Sequence, residues 1–203
     1  MIVTIIGIAL VGGILAGPIM SDVETPEYGL IESLGDIETR QYEPMIIAEV
    51  RTEGGREEAI RDGFRLLADY IFGNNTVRQD IATTAPMQQK ESAEIAMTAP
   101  VQQRAAGGAW QVSFVMPSEY TLATLPEPKD ERIAIKEVPS KKLAVIVFSG
   151  THSDENVKEH EKRLMDYVEA AGMPVSGPPK YAFYNPPWTL PVMRRNEVMV
   201  EIE

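Results

Sequence analysis

The chain has 203 residues, of which 44% are hydrophobic and 24% charged, a composition typical of one globular domain with a substantial core. Its formal net charge of −11 argues against a nucleic-acid partner, because phosphate binding requires a basic stripe and none is present. The chain contains no cysteine, which excludes disulfides, thiolate nucleophiles and Cys-ligated metals.

Residues 1–21 differ in kind from the rest of the chain. Met1–Met20 contains no charged side chain, and its apolar run is about long enough to cross the hydrocarbon layer as a helix. The residues that follow are acidic, with no nearby Lys or Arg to retain them inside. We therefore expect a membrane anchor or export signal, with residues 22–203 forming a domain in the periplasm or the extracellular space. A buried core helix is the alternative interpretation.

Strand and helix signals follow in the first half of the domain. Ile37–Arg51 is rich in β-formers and is closed by Gly54-Gly55. Gly55–Gly73 then changes to a helical period, with Phe64 on one apolar stripe. The sequence therefore predicts strand structure followed by an amphipathic helix.

A ten-residue stretch then occurs twice. Ile81–Lys90 (IATTAPMQQK) returns fourteen residues later as Ile95–Arg104 (IAMTAPVQQR). Proline fixes its own φ and keeps the preceding residue extended, so we expect two extended segments at a sheet edge or a pocket rim. A tandem hairpin whose prolines cap edge strands is the other interpretation. Met87 and Met97 are better explained as core filling than as ligand contacts.

The second half of the domain repeats the first. Ile133–Gly150 aligns with Ile37–Gly54 at a constant offset of 96, and a second helical stretch follows Ser153, a plausible N-cap. Strand-like segments at Lys180–Tyr184 and Glu197–Ile202 complete the chain. Strand, helix and strands taken twice predict an α+β fold whose antiparallel sheet is bent round, with the helices outside.

Five motifs then carry a family resemblance, in this order: Thr25–Tyr28, Glu38–Pro44, the doubled Ala-Pro stretch, Phe148–Gly150, and Tyr184–Pro187 with Arg194–Val198. Together they resemble the SOUL family of haem-binding proteins, from about Thr25 to Glu203. The resemblance implies a pseudo-twofold, distorted antiparallel β-barrel of two duplicated β-α-β-β units, flanked by two helices. It also implies non-covalent binding of haem or a related tetrapyrrole rather than catalysis.

The resemblance assigns ligand contacts along the first helix and near the Pro-Pro turn, to Arg61, Phe64, Ala68, Asp69 and Thr189. Arg61 would pair with a propionate through its forked guanidinium, and Phe64 would lie against the ring. Better-studied animal relatives carry lysines where Asp69 and Thr189 stand, so positive charge is missing there. Solvated surface positions are the alternative interpretation of these two residues.

Axial ligands are scarce in this sequence, which has two histidines. His160 is a weak axial candidate on the apolar stripe of the second helix, where a half-buried structural histidine is the alternative. His152 is expected in a loop before that helix. We therefore expect a porphyrin to bind without a strong axial histidine.

Two other functions stay open. Glu197 with Tyr42 or Tyr184 is similar to the Glu–Tyr pair of hydrolases that share the GyrI-like effector-binding fold, which would permit general acid–base catalysis. The competing interpretation is that Arg194, Arg195 and Glu197 hold the last strand through ion pairs. A ligand-free interaction domain is the third possibility.

Overall fold

The computed structural model describes residues 23–78 and 92–203. The predicted anchor, residues 1–21, and the first Ala-Pro copy, Ile81–Lys90, lie outside the described residues. The elements follow in the order β1 (Tyr28–Leu34), β2 (Ile37–Tyr42), β3 (Met45–Thr52), α1 (Arg56–Ile71), β4 (Asn75–Thr76), β5 (Val101–Ala106), β6 (Ala109–Val115), β7 (Glu127–Pro128), β8 (Ile133–Val138), β9 (Lys141–Phe148), α2 (Asp154–Ala170), β10 (Val175–Phe183), a 3₁₀ turn (Pro191–Met193) and β11 (Asn196–Ile202).

The fold is α+β, with one large antiparallel sheet and two helices. In the described part of the chain the sheet runs β1-β2-β9-β11-β10-β5-β6-β3-β8, and β4 pairs with β7 apart from it. The predicted barrel is wrong, because no strand pairing among these residues joins β8 to β1 or β2. The short connections β2–β3 and β8–β9 do run between opposite ends of this order, so the sheet must curve. Ser140 Oγ donates to the Tyr42 carbonyl across that gap (2.7 Å).

The two halves of the sheet are arranged alike. An offset of 96 takes the bounds of β2 and β3 onto those of β8 and β9. Apart from the edge strand β1, the strand order is symmetric about the β5–β10 pair. Gly54 and Gly150, which are equivalent at this offset, both have positive φ (92° and 105°), a conformation that favours glycine. An origin by duplication stays a prediction.

Both helices pack on one face of the sheet, α1 against β3 and β6 and α2 against β9, β10 and β11. Leu67 and Ile71 of α1 are fully buried on this face. A Cβ at Gly63 would lie 2.5 Å from Cβ of Val112, so glycine allows α1 to approach β6 closely. As predicted, α2 begins after Ser153, whose Oγ accepts the Asn156 N–H (3.5 Å).

Two strands differ from expectation. The second Ala-Pro copy, Ile95–Arg104, leads into β5, which lies at the centre of the sheet between β10 and β6 rather than at an edge. Pro100 precedes the strand, so its missing N–H costs no ladder hydrogen bond. The edge strand β1 was not predicted, because all seven of its residues are exposed and no inward apolar face marks it. Neither helix within residues 23–78 and 92–203 is long and apolar enough to cross a membrane.

Candidate ligand-binding site

The concave face of the sheet, opposite the helices, carries a cavity of about 240 Å³. Strand alternation determines its lining: in β3, Ile47 and Glu49 face the cavity, whereas Ala48 and Val50 pack beneath α1. Its apolar lining residues are Tyr42, Met45, Ile47, Val138, Leu143 and Met199. Pockets that enclose drug-sized ligands measure roughly 300–1,000 Å³, so a large ligand would place only part of its surface here.

Charged side chains also line the cavity, and two of its lysines are already neutralised. Lys136 is ion-paired with the buried carboxylate of Glu49, which also accepts from Gln111 Nε2 (2.9 Å). Lys141 Nζ lies 2.5 Å from Glu201 Oε2. Each of these two ion pairs is neutral overall, so neither adds net charge to the cavity lining.

Arg104 and Lys180 lie directly opposite each other on the central strands β5 and β10, and both line the cavity. In the part of the chain that the structure describes, neither side chain makes an ion pair or a hydrogen bond. Burial lowers the pKa of Lys180, and repulsion from Lys141 and Arg104 lowers it further. Two adjacent cations that have no ion-pair partner among the described residues, beside an apolar lining, are suited to an anionic ligand with an apolar body.

A buried polar cluster adjoins the cavity at Tyr42. Glu197 is fully buried, and its Oε1 accepts from Arg40 Nη1 (3.0 Å) and Arg195 Nη2 (2.6 Å). Its Oε2 accepts from the Tyr184 hydroxyl (2.9 Å). Arg40 Nη1 also donates to the Tyr42 hydroxyl (2.9 Å). The cluster therefore joins β2, β10 and β11 through charged hydrogen bonds.

The electrostatics of this cluster favour a structural role. Burial and the nearby Glu197 charge raise the pKa of the Tyr42 and Tyr184 hydroxyls, so both remain protonated. Burial alone would lower the pKa of Arg40, but the Glu197 carboxylate outweighs it and raises that pKa. Because both Glu197 oxygens are held by donors, the geometry favours the ion-pair interpretation over general acid–base catalysis. Arg194 does not join the cluster and donates instead to the Thr189 carbonyl (2.7 Å).

Four of the family-assigned contacts lie together on α1, on the opposite face of the sheet from the cavity. Arg61 is exposed, and Phe64 is 39% exposed with its ring edge against Phe114 (centroids 5.4 Å apart). Ala68 is half-buried, and the exposed Asp69 accepts from Asn74 Nδ2 (2.5 Å). These residues form an external strip, here called the α1 strip.

The fifth assigned residue, Thr189, lies in the β10–β11 loop. Its N–H donates to the Pro186 carbonyl (3.0 Å) and its carbonyl accepts from Arg194. Among the described residues, no hydrogen bond joins Thr189 to the α1 strip. Its backbone contacts are therefore those of a loop residue, and its ligand role stays a prediction.

Neither histidine lies in the cavity lining. The His160 ring stacks on Phe148 (centroids 4.0 Å apart), and its Nδ1 lies 2.7 Å from the Asn156 carbonyl. His152 is half-buried before α2, where its carbonyl accepts from Arg56 and burial lowers the pKa of its ring. The contacts of His160 match the half-buried structural histidine that was its alternative interpretation.

Arg104 and Lys180 were missed in the sequence. Each lies in a segment that was expected to be extended. A Lys or Arg in such a segment is normally exposed to solvent, so neither was singled out as a site residue. The available signal was alternation: Lys180 shares a face with Ala182 and Tyr184, both of them buried. Their juxtaposition depends on the pairing of β5 with β10, which joins strands far apart in the chain.

The sequence matches the family model of the SOUL heme-binding protein over residues 23–201. The chain belongs to the SOUL family. The match spans both described parts of the domain and agrees with the resemblance carried by the five motifs. No curated protein sequence matches the chain significantly.

Solved structures share the overall fold of this SOUL domain. The C-terminal domain of EcmrR aligns with a TM-score of 0.59 at 10% identity, over 87% of this chain and 98% of that one. A hydrolase from Listeria innocua aligns with a TM-score of 0.52 at 8% identity, over 83% and 92% of the respective chains. At such identities the likeness concerns the fold alone.

Proposed function

We propose that this SOUL domain binds an anionic tetrapyrrole, haem or a metal-free porphyrin, non-covalently in the concave-face cavity. The observation that carries the proposal is the adjacent cations Arg104 and Lys180, which have no ion-pair partner among the described residues and lie beside the apolar lining. A tetrapyrrole has a flat apolar ring and two propionates at one edge, so it matches both features. The family supplies the ligand class, and these residues supply the mode of binding.

The cavity residues fit such a ligand in charge and in polarity. Arg104 offers a guanidinium that binds a carboxylate in two places, and Lys180 offers a mobile ammonium group. Met45 and Met199 add polarisable thioethers to the lining. Since the cavity lining contains no histidine, ring burial and propionate pairing must supply most of the affinity.

The symmetry of the strand order agrees with this location. Arg104 and Lys180 belong to β5 and β10, the pair about which the order is symmetric. If the two halves arose by duplication, each contributes one cation to the centre of the shared face. We propose the duplicated, pseudo-twofold origin on these grounds.

The test compares the two faces of the sheet. Full-length protein in detergent is titrated with hemin and with protoporphyrin, following the Soret band and the porphyrin fluorescence. Lys180→Met and Arg104→Gln should each weaken binding by about 10–100-fold, the value of a charge-assisted hydrogen bond. Arg61→Gln, which removes an exposed cation from the α1 strip, is the matched control and should change affinity little.

The same titration distinguishes the alternatives. If Arg61→Gln and Phe64→Ala weakened porphyrin binding while the cavity variants kept their affinity, the ligand site would be the α1 strip. Protoporphyrin should bind within about tenfold of hemin, because the proposed affinity does not depend on a metal bond. A strong preference for hemin that His160→Ala abolishes would restore axial ligation. Absence of any porphyrin binding would favour an interaction domain.

We also propose that residues 1–21 anchor the domain to a membrane or direct its export, leaving it in the periplasm or the extracellular space. The support is the uncharged run Met1–Met20 and the acidic residues after it. Membrane fractions should contain the full-length protein, and protease added from outside should reach the domain. A protein found in the cytosolic fraction would contradict the proposal.

A further inference from the structure

The β10–β11 loop presents four large apolar side chains to solvent within six residues. Trp188 is 83% exposed, Leu190 63% and Val192 81%, and Met193 is also exposed. Isolated exposed apolar residues are ordinary on protein surfaces, but a contiguous group marks an interaction site. These four residues are here called the loop tip.

Hydrogen bonds hold the β10–β11 loop in the conformation that exposes the loop tip. Arg194 donates to the Thr189 carbonyl (2.7 Å) and to the Pro187 carbonyl (2.5 Å) from within the loop. The Gly150 N–H donates to the Pro191 carbonyl (2.8 Å), which ties the loop to the β9–α2 connection. Prolines further restrict the backbone. The apolar side chains are therefore held outward before any partner arrives, which lowers the entropic cost of docking.

The basic side chains next to the loop tip are engaged by other groups of the domain. The Arg194 guanidinium is directed at loop carbonyls, and Arg195 is held by the buried Glu197 carboxylate. The tip itself carries apolar side chains and Thr189. The four side chains of the loop tip are uncharged, so burying them in an apolar phase does not in itself desolvate an ionised group.

The start of the domain lies beside this loop. Val101 pairs with Phe183 in antiparallel register, so the chain just before Val101 and the start of the β10–β11 loop lie at the same end of the sheet. The Ala99 N–H donates to the Glu24 carbonyl (2.9 Å), which brings the domain's first residues to the same place. The uncharged run ends at Met20, four residues before Glu24, and four residues of chain span at most about 14 Å. A membrane that held this run would thus lie at the end of the domain from which the β10–β11 loop extends.

We infer that the loop tip docks the domain onto the lipid surface, inserting Trp188, Leu190 and Val192 at the membrane–water interface. Tryptophan favours this interface because its ring is apolar and its indole N–H is polar. The domain is acidic overall and Glu24 and Glu27 lie near its start, so the docking is apolar and does not require anionic lipid. The inference goes beyond tetrapyrrole binding and can fail without it.

The experiment uses Trp188 as its own reporter in the full-length protein. The chain has two tryptophans, so Trp110→Phe leaves Trp188 as the single emitter. The protein is reconstituted into neutral phosphatidylcholine vesicles, with and without bromine-labelled acyl chains. We expect the Trp188 emission to shift to the blue on vesicles. Brominated lipid should quench most of this emission, and acrylamide should quench it less than it does without vesicles.

A matched control places the reporter elsewhere. Phe72→Trp in a Trp110→Phe, Trp188→Phe background puts an exposed aromatic residue at the far end of α1. That position is about 24 Å along the helix from Arg56, whose contact with His152 lies near the loop. Its emission should stay typical of water and remain insensitive to brominated lipid.

Four results would overturn the inference. If the protein bound vesicles but its Trp188 emission did not change, the anchor would be supported and the docking of the loop tip would be contradicted. A blue shift that depends on protein concentration without vesicles would assign the loop tip to a second copy of the chain. Trp188→Ala that weakens porphyrin binding, with no response to vesicles, would assign it to the ligand site. A protein that fails to bind vesicles at all would reject both the anchor and the docking.

Discussion

Glu197 Oε1 lies 3.0 Å from Arg40 Nη1, an ion pair between two side chains that are both withdrawn from solvent. Removing Glu197 would leave the buried Arg40 charge paired only with the half-buried Glu38 (2.6 Å) among the described residues. Glu197→Ala should therefore lower the free energy of unfolding by about 3–5 kcal/mol. Chemical denaturation measures this loss.

The control for Glu197→Ala is an ion pair on the surface. Lys162 and Asp166 form an i,i+4 pair on α2 in which both side chains are well exposed. Lys162→Ala should cost no more than about 0.5 kcal/mol, since solvent screens the pair and its geometry costs side-chain entropy. Equal losses in the two variants would show that the Glu197 cluster does not stabilise the sheet.

Much of the fold could be predicted because its signals are local. The helical period of Gly55–Gly73, the cap at Ser153 and the offset of 96 each depend on residues close in sequence or on a simple repeat. Strand order is different, because it depends on hydrogen bonds between distant segments. The open sheet and the central place of β5 therefore could not be derived from the pattern of residues alone.

The same contrast between local signals and contacts of distant segments applies to the candidate site. The Glu–Tyr pair around Glu197 was recognised, but not that Arg40 holds the same carboxylate from β2. Phe64 lies on the predicted stripe of α1, yet it is partly exposed, because it flanks the contact with β6 rather than facing it. The Arg104–Lys180 pair arises only from strand pairing. Sequence patterns gave residue types, and tertiary pairing decided which of them meet.

Gly63 tests the close approach of α1 to the sheet. Alanine is the better helix former by about 1 kcal/mol, so an open position would gain stability. Here the added Cβ would lie 2.5 Å from the Val112 side chain, and overpacking should destabilise the domain by about 1–3 kcal/mol in Gly63→Ala. Thermal and denaturant unfolding measure the change.

A double-mutant cycle supplies the control for Gly63. Val112→Ala alone removes buried methyl groups and should destabilise the domain. In the double variant the new methyl occupies part of that space, so the loss should be smaller than the sum of the single losses. Additive losses would indicate that the clash is relieved elsewhere.

Phe64 and Leu67 distinguish an external helix position from the core. Phe64 is 39% exposed, so Phe64→Ala should cost only about 1–2 kcal/mol of unfolding free energy. Leu67 is fully buried, and Leu67→Ala should cost about 2–5 kcal/mol. Porphyrin titration of the folded Phe64→Ala variant should give an unchanged affinity if the ligand binds in the cavity. A large loss of affinity with little loss of stability would identify the α1 strip as the site.

Lys180 makes the proposed binding depend on pH. Burial, and then Lys141 and Arg104, lower its pKa below the ordinary value of 10.5, so the folded domain releases this proton before the unfolded chain does. Between the lowered pKa and 10.5 the unfolded state binds more protons, and stability should rise with pH in that window. A propionate favours the charged ammonium, so affinity should be greatest below the lowered pKa and fall as pH rises through it.

Porphyrin titrations over a pH series measure this dependence. Lys180→Arg keeps the charge throughout the range, so it should retain affinity at high pH and lose the dependence that Lys180 causes. Lys180→Met should bind weakly at every pH, because it lacks the cation in both states. If all three proteins showed the same pH profile, Lys180 would not contact the anionic edge of the ligand, and the cavity would lose its main support as the site.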